Sequence, residues 1–346
     1  MLKIKSFINL FLVVILITLV GCNNNENVDK NVDMTEIDGE TMDIAWIGKT
    51  LNNPWWVSVA DFAEQEAENL GVNLTISLPE EEVDLGKQVA MVESAIEKQT
   101  DAIVISATSS DGIIPAIEKA RNEGIKIVNF DTRISDPSMY DAFVGADDVE
   151  GAYKAGKYIA EQLNGEGKVG LITGLLAQST GIDRKEGFMK AMEEYPGIEV
   201  VAEASGDWRS DLAADATTNM LTAHSDIDAI FASNDQMAVG MASAAEAEQR
   251  AEDLILVGYD GIIDAVDLVL EDDLDAFVAL PNIDEGVMGV RLAAALVANP
   301  DFEFNREVIY PTSLVTKENI EGLTDQTIYE YIAERFPLFG ITDKGY

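Results

Sequence analysis

IAWIGKTLNNPWWVSVADFAEQEAENLGVNLTISL, residues 44–78, carries a whole strand–helix–strand unit. Ile44 to Ile47 is a short apolar run, the pattern of a strand covered on both faces. Val57 to Leu70 is an amphipathic stretch with helical spacing of apolar positions, and Leu74 to Leu78 is a second short run. Outward from this unit the alternation continues. Further strands are expected at Ala102 to Ile105, Ile125 to Phe130, Ala142 to Val144, Val169 to Thr173, Val200 to Ala204, Ala229 to Phe231, Leu254 to Val257 and Ala276 to Ala279. Amphipathic stretches such as Leu85 to Lys98, Gly112 to Glu123 and Val149 to Leu163 separate them. Strands that alternate with helices predict an α/β fold with parallel sheets covered on both faces.

The pattern occurs twice, which predicts two doubly wound parallel-sheet domains. One lobe is expected over residues 42–146 and a second over 147–280. A later helix, Glu285 to Val297, and a strand near Val308 suggest further crossings, so about 281–308 is assigned to the first lobe and about 309–320 to the second. The lobes are then joined by a multi-strand hinge. Residues 321–346 form a C-terminal extension with no assigned role.

Residues 1–21 read as a secretion signal: Lys3 and Lys5 precede an apolar run from Phe7 to Val20 that is short for a spanning helix. Leu19-Val20-Gly21-Cys22 resembles a bacterial lipobox, which implies cleavage before Cys22, lipidation of its sulfur and attachment outside the cytoplasmic membrane. Cys22 is the only cysteine, so neither a disulfide framework nor a cysteine zinc site is available. Residues 22–41 begin with an Asn- and Asp-rich run that has little to bury and read as a polar tether. A formal charge of -40 opposes nucleic acid. Gly165 to Gly170 fits G-x-G-x-x-G but ends a helix and enters a strand, the reverse of a dinucleotide site, and is read as a turn. The lone histidine, His224, closes a helical pattern and is read as surface or cap. No catalytic residue, cofactor or metal is expected.

Ligands of open parallel sheets bind beyond the carboxyl ends of the strands. Polar and aromatic residues recur there: Lys49, Asn53, Trp55 and Trp56 after the first strand, Ser106 after the third, and Asp131 and Thr132 after the fourth. Gln178 to Arg184, Trp208, Asn234 and the pair Tyr259-Asp260 follow in the second half. Carboxylates, amides and an arginine fork suit hydroxyl pairs, and aromatic rings suit the apolar CH faces of a polyhydroxylated ligand.

Thr50-Leu51-Asn52-Asn53-Pro54-Trp55-Trp56, Asp131, Arg184-Lys185-Glu186-Gly187-Phe188, Asn234-Asp235-Gln236-Met237-Ala238 and Val257-Gly258-Tyr259-Asp260-Gly261 resemble the ribose-binding-protein-like periplasmic sugar-binding proteins of ABC importers. The similarity runs from about Met42 to Val315. It implies the periplasmic binding protein type I fold, with Asn53, Trp55 and Trp56 in the first ligand loop. It also implies Asp131 and Arg184 gripping hydroxyls from opposite lobes, Trp208 as second-lobe aromatic, Asn234 as amide, and Tyr259 with Asp260 as an aromatic–carboxylate pair. Lys49 stands where ribose binders carry a small polar residue, both first-loop aromatics are tryptophans, Thr132 follows Asp131 where arginine is usual, and no glutamine lies near Leu280. The resemblance therefore implies a small neutral sugar or polyol, with ribose no better placed than another pentose or a branched sugar.

The expected protein is a monomeric, non-enzymatic, lipid-anchored binding protein on the outer side of the membrane, with an ABC transporter permease as partner. Two alternatives stand beside it: a sensor that presents its sugar to a membrane receptor, and a secreted glycoside-processing enzyme using Asp131 and Asp260. A repressor is excluded by the charge and by the lack of a helix-turn-helix before Met42.

Overall fold

A computed structural model describes residues 42–280, 282–299 and 306–322. The leader, Cys22, the tether up to residue 41 and residues 323–346 of the C-terminal extension lie outside the described residues.

In the first lobe β1 (Asp43–Ile47), β2 (Asn73–Ser77), β3 (Ala102–Ile105), β4 (Lys126–Phe130), β5 (Ala142–Ala146) and β11 (Glu307–Tyr310) form a parallel sheet in the order β11-β5-β4-β3-β1-β2. Successive strand side chains point to opposite faces, so one short run feeds two cores. Ile44, Trp46, Val104, Val128 and Phe130 pack on the side of α1 (Pro54–Leu70) and α9 (Asn282–Ala298). Ala45, Ile47, Ile103, Ile105 and Ile127 pack on the side of α2 (Leu85–Glu97) and α3 (Ile114–Asn122). Trp46 is fully buried, as its place in the first strand requires.

The second lobe repeats the plan with β6 (Glu166–Thr173), β7 (Gly197–Ser205), β8 (Ala229–Ala232), β9 (Ile255–Asp260), β10 (Ala276–Ala279) and β12 (Ser313–Thr316), in the order β12-β10-β9-β8-β6-β7. Helices α4 (Asp148–Gln162) and α5 (Ser179–Glu193) pack together on one face, and α6 (Ser210–Ala223) packs on α7 (Asp235–Ala247) on the other, where α8 (Ile263–Glu271) also meets α7. The α4–α5 contact is close because Gly187 meets the Val149 carbonyl, where a Cβ would collide. Such contact holds α5, and with it Arg184, at a fixed depth.

Two features depart from the simple pattern. β12 runs antiparallel to β10, so the second sheet is not wholly parallel. Its strand is short and reached through a two-residue turn from β11 of the other sheet, a link too short for a helical crossover. The last passage between sheets therefore falls at 311–312, slightly beyond the expected 308. The other passages lie between β5 and α4 and between β10 and α9. Gly165 has a φ of 81° at the end of α4 and leads into β6, a turn, and His224 is the C-cap of α6. No helix among the described residues is long and apolar enough to cross a membrane.

Candidate functional site

The carboxyl ends of both sheets meet at a pocket lined by Lys49, Asn53, Trp55, Trp56, Glu82 and Asp131 from the first lobe. Thr180, Arg184, Trp208, Asn234 and Asp260 line it from the second. Three lining residues, Asp131, Trp208 and Asp260, have positive φ values of 51°, 64° and 124°. That backbone region is uncommon for residues other than glycine and concentrates at functional sites.

Local structure assigns each polar group a direction. Asn53 is the N-cap of α1, where its Oδ1 accepts from the Trp55 amide at 2.9 Å. Asn234 caps α7 in the same way, with Met237 N at 2.9 Å. Each amide oxygen is thus spent on a helix end, and the NH2 group is what each asparagine can offer as a donor. Asp131 has the opposite character. Its Oδ2 accepts from Ser106 Oγ at 2.9 Å and Thr132 Oγ1 at 3.0 Å, and Lys49 Nζ lies at 3.1 Å. These partners gather on one oxygen, which leaves Oδ1 for a hydroxyl donor.

Both cations are neutralised by the protein. Lys49 Nζ meets Asp131, Thr132 Oγ1 and Gln178 Oε1, with Glu82 at 3.6 Å. Arg184 donates from Nε to Asp148 Oδ1 and from Nη1 to Asp260 Oδ1 and the Ser233 carbonyl, each at 2.8 Å. Its guanidinium lies 4.0 Å from the Tyr259 ring centroid, and Trp208 flanks it at 5.4 Å. Buried charges need such partners, since desolvation otherwise costs several kcal/mol per ion.

The titrations follow from this arrangement. Burial works to raise Asp131, but Lys49, Arg184 and the hydrogen bonds from Lys49 and Ser106 outweigh it and hold the carboxyl below its ordinary value. Asp260 is pushed up to about 7, chiefly by burial, with Arg184 opposing and Asp131 and Asp148 adding. Burial likewise raises Glu82 and Asp148 against the pull of Lys49 and Arg184 respectively. Arg184 stays charged because Asp148 and Asp260 more than offset its burial.

Of the residues singled out from sequence, Lys49, Asn53, Trp55, Trp56, Asp131, Arg184, Trp208, Asn234 and Asp260 share the pocket. Ser106, Thr132 and Tyr259 do not line it. All three are fully buried one layer behind, the first two holding Asp131 and Tyr259 lying against Arg184. Glu82 was not singled out, and Thr180 was reached only as part of the stretch Gln178 to Arg184. Glu82 follows β2, so the rule that picked the residues after β1, β3 and β4 also reaches it, although the acidic run Glu80-Glu81-Glu82 reads as solvated surface. Asp148 and Asp235 also belong to the support. Asp148 orients Arg184, and Asp235 Oδ2 accepts from Gly261 N at 2.6 Å and Ile262 N at 3.0 Å, which fixes the turn after Asp260.

Two parallel-sheet lobes with three passages between them, closing on a pocket at their strand ends, define a type I periplasmic binding protein fold. A family model described as periplasmic binding protein domain matches residues 44–301. The chain belongs to this family, in its ribose- and allose-binding branch. It is 33% identical over 288 residues to a D-ribose/D-allose-binding protein of Pseudomonas aeruginosa, covering 79% of this chain and 88% of the relative. An ABC transporter periplasmic solute-binding protein of Actinobacillus succinogenes, solved with bound D-allose, superposes with a TM-score of 0.75 at 31% identity, covering 80% of this chain and 98% of the other. A solute-binding protein of Bacillus halodurans with bound myo-inositol gives 0.75 at 26%, covering 86% and 99%. These relatives are binding proteins of transport systems, not enzymes.

Proposed function

We propose that this protein captures one small neutral sugar or polyol between its lobes and delivers it to the permease of an ABC importer. It does so as a monomer held by a lipid on Cys22 at the outer face of the cytoplasmic membrane. The observation that carries the ligand class is the pairing of both pocket cations within the protein. Lys49 and Arg184 face Glu82, Asp131, Asp148 and Asp260, so no cation is left to match an anionic ligand. What remains for a ligand is Asp131 Oδ1, Arg184 Nη2 and Asp260 Oδ2, which the bonds above do not use, the amide donors of Asn53 and Asn234, and the indoles of Trp55, Trp56 and Trp208, a set for hydroxyls and CH faces. The relatives with D-allose, D-ribose and myo-inositol support the same class. Ligand contacts from both lobes favour the closed form, which a permease distinguishes from the open one by shape.

The test is a thermal-shift screen of pentoses, hexoses, tetritols, pentitols and inositols. A ligand at about 100 times its Kd should stabilise the fold by about 2.7 kcal/mol. Stabilisation by sugar phosphates or sugar acids alone would overturn the neutral-ligand assignment.

A further inference from the structure

The geometry points to Gln178 as the latch between the lobes, a positioning residue that sets how tightly the ligand is held without touching it. This inference rests on the function proposed above and names the residue that converts closure into affinity.

Gln178 is fully buried and does not line the pocket. Its Oε1 accepts two hydrogen bonds, from Lys49 Nζ at 3.0 Å and from Trp208 Nε1 at 2.9 Å. Its Nε2 donates to the Thr108 carbonyl at 3.2 Å. Lys49 and Thr108 belong to the first lobe, whereas Gln178 and Trp208 belong to the second. The single carboxamide therefore makes two bonds that exist only when the lobes are shut and one that survives opening. The survivor holds a pocket indole, and one of the bonds made on closure holds the pocket lysine.

The surrounding seam has the same character. Ser110 N donates to Ala177 O and Ser179 N to Ser110 Oγ, both at 3.0 Å, Arg133 N donates to Ser179 Oγ at 2.8 Å, and Thr132 Oγ1 meets Thr180 Oγ1 at 3.0 Å. Residues 177–180 thus run along the first lobe's loops at 108–110 and 132–133. Gln178 is the residue of this seam whose side chain reaches the ligand-facing groups on both sides.

Only a carboxamide satisfies all three partners. Glutamate keeps an acceptor for Lys49 and Trp208 but brings a carboxylate oxygen against the Thr108 carbonyl. Methionine fills the space, leaves the Trp208 N–H without an acceptor and removes one partner from Lys49. Buried groups left unpaired in this way are costly.

The experiment compares wild type, Gln178→Met and Gln178→Glu in the full chain, with D-allose, D-ribose and myo-inositol as probes. Dissociation constants, dissociation rates and ligand-free melting temperatures are measured for each. Gln178→Met is expected to weaken binding about 10- to 100-fold, mostly as faster dissociation, with the ligand-free melting temperature affected far less, since the open form loses only the Trp208 bond. Gln178→Glu should recover only part of the loss, because it restores the acceptor for Lys49 and Trp208 but opposes the Thr108 carbonyl. Wild type that binds none of the probes removes the sugar assignment and the latch with it. Wild type that binds, with Gln178→Met equal to it in affinity and dissociation rate, removes the latch alone. Two variants equally weak, or a ligand-free protein destabilised in step with the loss of binding, would assign Gln178 to the scaffold and overturn the proposal.

Discussion

Replacing Asp131 by asparagine removes one charge and almost no volume, at a position where the backbone itself discriminates between substitutions. With φ at 51°, Asp131 sits in the left-handed region, which asparagine tolerates and alanine does not. Asp131→Ala would therefore add backbone strain of about 1 kcal/mol that has nothing to do with ligand, and asparagine avoids it. In the folded protein Lys49 loses its nearest carboxylate, 3.1 Å away, and keeps Glu82 at 3.6 Å. For the ligand, a charged acceptor in a closed cleft becomes a neutral one. Truncating such a partner costs about 2–5 kcal/mol. Because the amide still hydrogen-bonds, the lower half of that range applies, about 2–3 kcal/mol, or roughly 30- to 150-fold in Kd at 1.4 kcal/mol per decade. Asp131 is held below its ordinary value, so it is ionised in both folded and unfolded chains near neutrality. Its contribution to stability is present above the ordinary carboxylate range and is lost as the pH falls through the lowered folded value. The affinity loss in Asp131→Asn should accordingly be constant between about pH 6 and 8 on this account. Calorimetric titration with the sugar that gives the largest thermal shift, together with circular dichroism of the free protein, measures it. A Kd within threefold of wild type would refute the assignment of Oδ1 to a ligand hydroxyl.

Three further outcomes are expected. Trp208→Ala should weaken sugar binding by at least the roughly 0.5–1.5 kcal/mol of an aromatic contact beyond buried area, and saturating sugar should change wild-type indole fluorescence with the calorimetric affinity. A variant that unfolds or binds normally would place this ring in the scaffold. Asp284, at the start of α9 beside the passage from β10, is buried with no hydrogen-bond partner for Oδ1, and burial pushes it up to about 7. Its neutral form favours the fold below the unfolded value near 4, and that stability is lost as the pH rises through 7, an effect on the order of 2–4 kcal/mol at about 1.4 kcal/mol per unit. Asp284→Asn should therefore melt above wild type at pH 8, with the gap closing towards pH 5, and a pH-independent gap would contradict this. Cys22→Ala should release the protein from the membrane fraction or leave the leader uncleaved, read by fractionation and mass spectrometry.

Strand and helix positions were legible because burial on two faces imposes a local pattern: Ile44 to Ile47 has to be apolar throughout, and Val57 to Leu70 apolar along one stripe. The pocket's outline was legible for a related reason. In parallel sheets the chain leaves every strand at the same edge, so Lys49, Asp131, Asn234 and Asp260 could be collected before any distance was known. Tertiary structure alone decided what each of them faces. Ser106, Thr132 and Tyr259 occupy the same topological positions as lining residues, yet they support Asp131 and Arg184 from behind. The sequence names no partner for Lys49, which the fold surrounds with Asp131, Glu82 and Gln178, the last 129 residues away. The antiparallel β12 and the joint role of Gln178 likewise depend on how two separately folded sheets come together. Periodicity records how deeply each residue is buried relative to its own element, a local quantity. Which side chains share a hydrogen bond across the cleft depends on hinge angle and lobe packing, which no stretch of sequence carries by itself.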